Sequence, residues 1–361
     1  MNFWRIKLDE RVIDVECNEH QNTNCPIKLD HVFCDGYREG RSIGVFSHFH
    51  EDHIAAVTEC IGSYDVLITH PITFEGIIAL KPGIRYREQW IPQNFGEKYK
   101  TRVGYVQLLK ANHIPGSSQV YVESGDKSLL YSGDFGFPDV QIKHTDYLVI
   151  DATHGDPWYD GKTDRKSVKN RMFEDIREKM NSNKPVVIQT SSGTLQELIR
   201  HFEVVYGSKL SSDVTFVMVK NQEKILKNIY KDEQGEFRDA VEYKSKEFWQ
   251  LVKNNKKFVM FSTSSILDEE LRSFYTIIID KFRFSKEQTA IIPFEGGCRY
   301  NLAAHASIND IYSYVEGVNP KYVVTDNSRS SHAKKLAKLI EQKFPSIRTE
   351  YRPPWSNHDI R

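Results

Sequence analysis

Three histidines and two acids crowd the segment "SHFHEDHI" at residues 47–54, directly after a short apolar run. Imidazole nitrogens and carboxylate oxygens are common ligands of divalent metal ions. A loop that leaves a buried strand can direct His48 and His50 at one ion while Asp52 and His53 face another. The spacing HxHxDH therefore predicts a metal-binding loop rather than a solvated polar turn.

Further ligands must come from elsewhere in the chain to complete each coordination sphere. His113 in "KANHIPGSS" and Asp134 in "LLYSGDFG" each follow a strand-like run, so both are candidate ligands. Two ions that share a carboxylate suit hydrolysis, because they lower the pKa of a trapped water and stabilise the anionic oxygens of an attacked phosphoryl or acyl group. These residues predict a metallohydrolase.

Short β-rich runs, separated by Gly, Asn and Asp turns, must position these side chains. The predicted strands are Ser42–Ser47, Tyr64–Thr69, Tyr105–Ala111, Gln119–Glu123, Ser128–Ser132 and Tyr147–Ile150. From Arg165 to about Phe294, helical and strand patterns alternate, which is typical of a parallel sheet covered by helices. The helix after it begins with a predicted capping box between Ser307 and Asp310.

Composition excludes few functions. The chain has 361 residues, enough for a substantial core and for two domains, and its 49 basic residues equal its 49 acidic ones, so any polyanion must bind a local patch. No stretch approaches the roughly 20 apolar residues of a membrane helix, and no signal-peptide core begins the chain, which predicts an intracellular protein. The five cysteines show no CxxC spacing, so we expect them to pack rather than to form disulfides.

The series HxHxDH, "ANHIPG" and "SGDF" resembles the metallo-β-lactamase superfamily over the first 150 residues. The longer wording "LLKANHIPGSS…LLYSGDF…LVIDATHG" is similar to the β-CASP nucleases, most of all Artemis and the DNA cross-link-repair branch. The resemblance implies an α/β protein: an αβ/βα sandwich with an inserted β-CASP cap domain of parallel sheet and helices. It implies hydrolase segments at residues 1–164 and 295–361, and a cap at residues 165–294.

The same resemblance implies roles for individual residues. Asp151 in "VIDATHG" and His305 in "NLAAHASIND" match an acid and a histidine that act together, the histidine protonating the leaving oxygen as a general acid. Asp52 joins them as a catalytic residue. The implied metal is one or two Zn²⁺ ions, with Mn²⁺ or Mg²⁺ as alternatives. The implied ligands are His48, His50, Asp52, His53, His113 and Asp134.

Two further positions bear on the centre. An acid near the start of the fold should orient the histidine loop, and Asp30 in "IKLDHVF" matches best, with Asp35 in "FCDG" as its rival. RNA-cleaving members have a final histidine ligand where this chain has Asp326 in "VVTDNSRS". The DNA-repair branch also lacks that histidine, which favours DNA, although an aspartate could still bind a second ion. The phrases around His305 and in "SGTLQEL" resemble the RNA-processing branch instead.

Candidate substrate contacts lie in the predicted cap. Thr190, Ser191, Ser192 and Gly193 could present hydroxyls and N–H groups to a phosphate, as the family's cap edge does for a terminal phosphate, or they could simply cap a helix. Ser262–Ser265 repeats the arrangement. Basic and aromatic residues could contact a nucleic-acid backbone or bases, or be solvated or packed: Trp158, Tyr159, Lys162, Arg165, Lys166, Lys169, Arg171, Phe282, Arg283 and Phe284.

The resulting expectation is a metal-dependent nucleic-acid phosphodiesterase, foremost a DNA 5′-exonuclease, with endonuclease activity as an option, that serves DNA repair or processing. The expected partner is nucleic acid, DNA before RNA, and no membrane. An RNA-processing endo- or exoribonuclease of the same architecture is the alternative. A metal-free scaffold and a small-ester metallohydrolase are minor alternatives, disfavoured by the complete ligand set and by the predicted cap.

Overall fold

The computed structural model describes residues 12–17, 25–40, 42–159, 165–206, 214–231, 239–263, 271, 273–280 and 291–354. The chain divides into two compact units. The first, the hydrolase unit, comprises the described parts of residues 1–74, 83–158 and 305–361. The second, the inserted unit, comprises residues 75–82 and the described parts of 159–304. Within these described parts, no helix is both long and apolar enough to cross a membrane.

Two sheets build the hydrolase unit. The first has its strands side by side in chain order: β1 (Ile13–Val15), β2 (Ile27–Leu29), β3 (Val32–Cys34), β4 (Ile43–Phe46), β5 (Val66–Thr69) and β6 (Trp90–Pro92). The second contains β7 (Lys98–Lys100), β8 (Gly104–Lys110), β9 (Ser118–Ser124), β10 (Lys127–Tyr131), β11 (Tyr147–Ile150), β19 (Tyr322–Asp326) and β20 (Arg348–Arg352). Its order is β20–β19–β11–β10–β9–β8–β7. The six strands predicted from residue 42 to residue 150 are confirmed, with ends that shift by up to two residues.

Apolar side chains fill the space between these two sheets and the space beneath the second. Val45 and Ile68 of the first sheet pack in one cluster with Val106 and Val120 of the second. The opposite face of the second sheet packs on α7 (Ile308–Val318) and α8 (Ala333–Lys343), which bury residues such as Tyr314 and Leu336. Burial of each such side chain contributes about 1.5–3 kcal/mol to the free energy of unfolding. This packing between the two sheets and the helices fixes the positions of the strand ends.

The inserted unit contains one further sheet with the order β14–β13–β15–β12–β16–β18–β17. Its strands are β12 (Val186–Gln189), β13 (Thr215–Met218), β14 (Ala240–Glu242), β15 (Phe258–Ser262), β16 (Tyr275–Asp280), β17 (Ile291–Phe294) and β18 (Gly297–Asn301). All pairings are parallel except β17 with β18. The helices are α3 (Arg165–Asn181), α4 (Thr194–Tyr206), α5 (Lys220–Ile229) and α6 (Lys246–Lys253). This alternation is what the sequence pattern predicts.

The end of the inserted unit differs from the predicted boundary after residue 294. β18 pairs with β16 in the inserted unit's sheet, so the return to the hydrolase unit comes at His305. The remaining helices are α1 (Val57–Ser63) and α2 (Pro71–Leu80), with short 3₁₀ helices at Pro82–Ile84 and Pro157–Tyr159. Residues 75–80 of α2 group with the inserted unit, which the sequence pattern did not indicate.

The expectation that all five cysteines pack is wrong for two of them. Cys17 and Cys25 form a disulfide. Their Cα atoms lie 4.5 Å apart because β1 and β2 pair antiparallel, and Glu16 N–H donates to the Pro26 carbonyl beside the bridge. The other cysteines, Cys34, Cys60 and Cys298, are buried free thiols.

His70 makes the stability of the hydrolase unit sensitive to acid. Its ring is buried and stacks on Phe95 with centroids 4.1 Å apart, and its Nδ1 accepts the Ile72 N–H. Burial lowers the pKa of His70 to about 4. The unfolded chain, with an ordinary histidine pKa near 6.5, therefore binds the extra proton first, and stability falls as pH drops below about 6.5.

Between about pH 7.5 and about pH 4.5, we expect the free energy of unfolding to fall by about 2–3 kcal/mol more in the wild type than in His70→Asn. Asparagine does not titrate in this range and can still accept the Ile72 N–H. Urea denaturation of both proteins at the two pH values measures the difference. Identical pH dependence in both proteins would contradict the assignment.

Candidate metal centre

The predicted ligands meet at one edge of the hydrolase unit. His48, His50, Asp52 and His53 follow β4, and His113 and Asp134 follow β8 and β10. Asp151 follows β11. Phe49 within the loop and Ile54 at its end are buried, and His53 N–H donates to the His50 carbonyl, so the loop is fixed by its own apolar side chains and backbone.

Four donor atoms form a compact cluster. They belong to His48, His50, His113 and Asp134, and all lie within 4.8 Å of one another. His48 Nε2 lies 2.9 Å from His50 Nδ1, which is 3.3 Å from His113 Nε2. Asp134 Oδ2 is 3.6 Å from both His48 Nε2 and His113 Nε2. Ligands about 2.0–2.1 Å from a tetrahedral ion stand about 3.3 Å apart, so these residues fit a zinc-sized ion.

A second side of the centre is formed by Asp52 and His53. Asp134 Oδ1, the other oxygen of the carboxylate whose Oδ2 faces His48 and His113, lies 3.4 Å from His53 Nε2. Asp52 Oδ2 lies 3.7 Å from the same nitrogen, although its side chain is 67% exposed. Asp134 thus faces both sides with different oxygens, as a bridging carboxylate must.

The charge states of these groups suit metal binding. Burial alone would raise the pKa of Asp134, but the nearby imidazoles, His53 foremost, lower it well below its usual range. Burial and the neighbouring His53 and His50 lower the pKa of His48 well below its ordinary value. The cluster therefore offers an ionised carboxylate and a neutral imidazole, the forms that bind metal.

Backbone conformation fixes Asp134 and His113. Gly133 has a φ of +56°, and a Cβ there would lie 2.7 Å from the Ser118 carbonyl oxygen, so only glycine fits before Asp134. Asn112, just before His113, has a φ of +61°, which asparagine tolerates better than most residues. Gly133 and Asn112 therefore suit the backbone conformation just before each ligand, while Asp134 and His113 provide the ligand atoms.

Asp35, not the predicted Asp30, orients the histidine loop. Asp35 accepts the Ser47 N–H and hydroxyl at 2.7 and 2.6 Å, and His53 Nδ1 donates to it at 2.8 Å. Ser47 Oγ lies 3.0 Å from His48 Nδ1. Since the Ser47 hydroxyl donates to Asp35, it accepts from His48 Nδ1–H. His48 Nε2 and His53 Nε2 are thereby turned toward the centre, 3.6 and 3.4 Å from the two Asp134 carboxylate oxygens.

Asp30 has other partners. Its carboxylate lies 2.9 Å from His31 Nδ1 and accepts from Ser124 Oγ at 2.6 Å, and its side chain is 41% exposed. It lies at the turn between β2 and β3, whereas Asp35 directly follows β3 and faces β4. The prediction of Asp30 as the positioning acid is corrected accordingly.

Replacing Asp35 with asparagine is expected to weaken metal affinity by about 10–100-fold, because neither the Ser47 hydroxyl nor the His53 ring keeps its carboxylate acceptor. Asp30→Asn is the matched control and should bind metal as wild type does. Competition of each protein with a chromophoric zinc chelator measures the affinities. Equal losses in both variants would contradict the role of Asp35.

Asp151 and His305 form a pair beside the cluster. His305 Nδ1 lies 2.8 Å from Asp151 Oδ2, and both side chains are buried. Asp151 Oδ1 accepts the Thr153 N–H at 2.8 Å, and Ser132 Oγ accepts the Asp151 N–H at 2.9 Å. His305 Nε2 lies 3.9 Å from Asp134 Oδ2. The structure thus brings the two predicted catalytic residues to the predicted ligands.

The approach of His305 is also fixed by the chain that follows it. Ala306 N–H donates to the Phe135 carbonyl, one residue after Asp134. The predicted capping box is confirmed, since Ser307 and Asp310 each accept from the backbone of the other. A capped helix start therefore holds His305 in place.

Asp326 has hydrogen-bond partners outside the predicted ligand set. It accepts from the Ser328 N–H and hydroxyl through Oδ1 and from Arg329 Nη1 through Oδ2 at 3.1 Å. Arg329 Nη2 donates to the carbonyls of Asp35 and Cys25 at 2.8 and 3.3 Å. The motif comparison had raised Asp326 as a ligand of a second ion, but its carboxylate is occupied by these partners.

Sequence reasoning missed Ser47, His154 and Arg329. Ser47 carries no chemistry of its own and acts only by linking Asp35 to His48. His154 is buried, with its ring edge-on to that of His305 at 5.5 Å between centroids. It stands in the quoted "DATHG" and could have been noticed there. Arg329 lay beside Asp326 in "DNSRS" without a motif to mark it.

The predicted phosphate-binding residues lie at the start of α4 in the inserted unit. Gly193 N–H donates to Gln196 Oε1 at 2.7 Å, and the Ser192 hydroxyl contacts the Gln222 amide at 3.1–3.3 Å. Ser191 Oγ lies 3.5 Å from Thr194 Oγ1, and the Thr190 hydroxyl is buried. Partners within the unit thus occupy several of these groups, and phosphate binding stays a prediction.

Two of the basic residues that were predicted to contact a nucleic-acid backbone also have partners within the inserted unit. Arg165 and Lys169 both pair with Glu197 at 2.9 Å. Trp158 is 62% exposed, which contradicts the packing that the sequence favours slightly over base stacking. Lys162, Ser264, Ser265 and Phe282–Phe284 lie outside the described residues.

A family model matches part of the hydrolase unit and the beginning of the inserted unit. The sequence model of the family described as "Metallo-beta-lactamase superfamily" matches residues 45–191, which contain the four donors of the cluster. The fold is a metallo-β-lactamase fold. A crystal structure of a protein of unknown function from Enterococcus faecalis V583 covers 95% of this chain and 97% of its own, with a TM-score of 0.59 and 13% identity. That likeness supports the fold alone.

Curated relatives are similar over more of the chain. "Probable RNase MJ4" of Methanocaldococcus jannaschii is 23% identical over 74% of this chain and 72% of its own length. The "RNase J-like protein" of the same organism is 28% identical over 55% of this chain, and "RNase aCSPSF2" of Saccharolobus solfataricus is 26% identical over 60%. The matches span half the length of each of the last two proteins. Metallo-β-lactamase fold, ligand cluster and relatives together identify a metal-dependent hydrolase.

Proposed function

We propose that the chain is a metal-dependent ribonuclease that hydrolyses phosphodiester bonds at the His48–His113 cluster. The observation that carries the proposal is the joining of four metal donors to a buried aspartate–histidine pair, with His305 Nε2 3.9 Å from Asp134 Oδ2. A metallohydrolase needs a charge centre for the phosphate and a proton donor for the leaving oxygen. Both are adjacent here.

Different residues of this chain would have different roles in the reaction. When bound, a divalent ion supplies a water of lowered pKa and neutralises phosphate oxygens. His48, His50, His113 and Asp134 would hold it. His305 delivers a proton from Nε2 to the departing oxygen, while the Asp151 carboxylate accepts a hydrogen bond from His305 Nδ1–H and fixes the ring in that orientation. Asp52 and His53 border the same space and would contact the ion or the water.

RNA is favoured over DNA as the substrate. All three curated relatives are named as RNases, which supports the alternative more strongly than the DNA 5′-exonuclease favoured by the motif wording. The similarity to Artemis and the DNA-repair branch has no such support. Zn²⁺ is our choice of ion, because three imidazoles and one carboxylate suit it. End polarity, phosphate recognition by residues 190–193 and an intracellular location remain predictions.

Matched RNA and DNA strands of one sequence, with 5′-phosphate or 5′-hydroxyl ends, test this proposal. Zinc-loaded protein should cut the RNA at least about tenfold faster than the DNA. Faster cutting of 5′-phosphorylated DNA than of RNA would contradict the ribonuclease proposal and favour a DNA-repair nuclease. If neither strand is cut while zinc is bound, the nuclease proposal fails, and p-nitrophenyl ester hydrolysis would then test the small-ester alternative.

A further inference from the structure

A buried arginine contacts Asp35, the residue that orients the second side of the metal centre. The Arg329 side chain is 14% exposed and pairs with Asp326, which is 5% exposed. Its other nitrogen donates to the carbonyl of Asp35, the residue that orients His53. The pKa of Arg329 is raised because nearby Tyr131, Asp326, Asp35 and Asp52 outweigh the opposing effect of burial. The guanidinium therefore remains charged, and its charge acts on Asp52.

The second side is poor in ligands compared with the first. Among the described residues, two groups bring at least three candidate ligand atoms within 4.8 Å, and neither contains Asp52 or His53. One is the four-donor cluster. The other is Asp134, Asp151 and His305, but a hydrogen bond already joins the last two. Asp326, which could have completed a second sphere, is held by Arg329 and Ser328.

We propose that Arg329 is a fixed cation that replaces much of the charge of a second metal ion. It holds Asp326 out of the centre and repels a further ion from the Asp52–His53 side. The chain then binds one ion tightly, at the four-donor cluster, and a second ion only weakly. This proposal does not depend on the substrate, so its failure would leave the proposed ribonuclease function untouched.

A guanidinium has a definite advantage at this position. It stays charged at any physiological pH and needs no supply of metal, and it can balance the charges of Asp35, Asp52 and Asp326 permanently. A divalent ion placed nearby meets its positive charge in a region partly shielded from water, where repulsion is stronger than in solvent. Such repulsion weakens binding of the second ion without disturbing the first.

Metal stoichiometry tests the proposal directly. Apoprotein is titrated with Zn²⁺ or Mn²⁺ by calorimetry, and bound ions are counted by native mass spectrometry. Wild type should bind one ion tightly and a second at least about tenfold more weakly. Arg329→Gln should strengthen the second step by at least about tenfold, while Arg329→Lys, which keeps the charge, should match wild type.

Two results would overturn the proposal: two ions of equal affinity in wild type, or the same second step in Arg329→Gln and Arg329→Lys. Asp326→His gives an independent test if Arg329→Gln does not fold. It adds an imidazole ligand but leaves the arginine in place, so the second ion should stay weak. A tight second ion in Asp326→His would mean that a missing ligand, not Arg329, limits binding.

Discussion

Asp134→Asn is expected to lower the rate of RNA cleavage by at least about 10³-fold and to reduce zinc retention after dialysis. Asp134 is the residue that the four-donor cluster, the Asp52–His53 side and His305 all share. The amide removes the negative charge that the surrounding imidazoles stabilise, and it leaves only one oxygen able to bind metal. One substitution thus affects ion affinity and chemistry together.

Asp139→Asn is the matched control for this variant. Asp139 lies five residues further along the same segment and is exposed. Its substitution should change neither zinc content nor cleavage rate. Zinc is measured by plasma mass spectrometry and cleavage with labelled RNA. Near-wild-type cleavage by Asp134→Asn, with zinc retained, would mean that the cluster is not the reaction centre.

His305→Gln and Asp151→Asn are each expected to lower kcat by about 10²–10⁴-fold while zinc content stays at the wild-type level. His305 is the proton donor, and Asp151 fixes its ring through the 2.8 Å contact. Because the two act as a unit, the double variant should lose little more than the worse single variant. Exposed His144, in the same unit, provides the control His144→Gln.

A substrate with a good leaving group separates proton donation from a structural role. p-Nitrophenolate departs without protonation, so a p-nitrophenyl phosphodiester should be cleaved by His305→Gln nearly as fast as by wild type. RNA, whose leaving alkoxide needs a proton, should show the full loss. Equal losses on the two substrates would show that His305 supports the site without acting as the acid.

Local patterns were sufficient where neighbours in sequence decide the structure. The strands around the ligands follow from apolar runs and turns, and the Ser307–Asp310 capping box follows from an acid three residues after a serine. The clustering of the candidate ligands in "SHFHEDHI" could be predicted, because all of them follow the same strand. His113 and Asp134 were also placed well, since each directly follows a strand of the second sheet.

Pairing between distant segments could not be inferred in this way. Asp30 and Asp35 are both acids beside β3, and only the parallel pairing of β3 with β4 places Asp35 against the histidine loop. The Cys17–Cys25 bridge depends on the antiparallel β1–β2 pairing. The later end of the inserted unit depends on β18 joining β16. Arg329 forms its ion pair with nearby Asp326, but its contact with Asp35 joins residues almost 300 positions apart.

The most direct test of the central claim is RNA cleavage by the zinc-loaded protein in ¹⁸O-water, with mass analysis of the product ends and Asp134→Asn as the control. Hydrolysis by a water activated at this cluster predicts that one ¹⁸O enters the phosphate monoester of the product, and that Asp134→Asn gives no product. Cyclic 2′,3′-phosphate ends without ¹⁸O, or equal cleavage by Asp134→Asn, would contradict metal-dependent hydrolysis at the His48–His113 cluster.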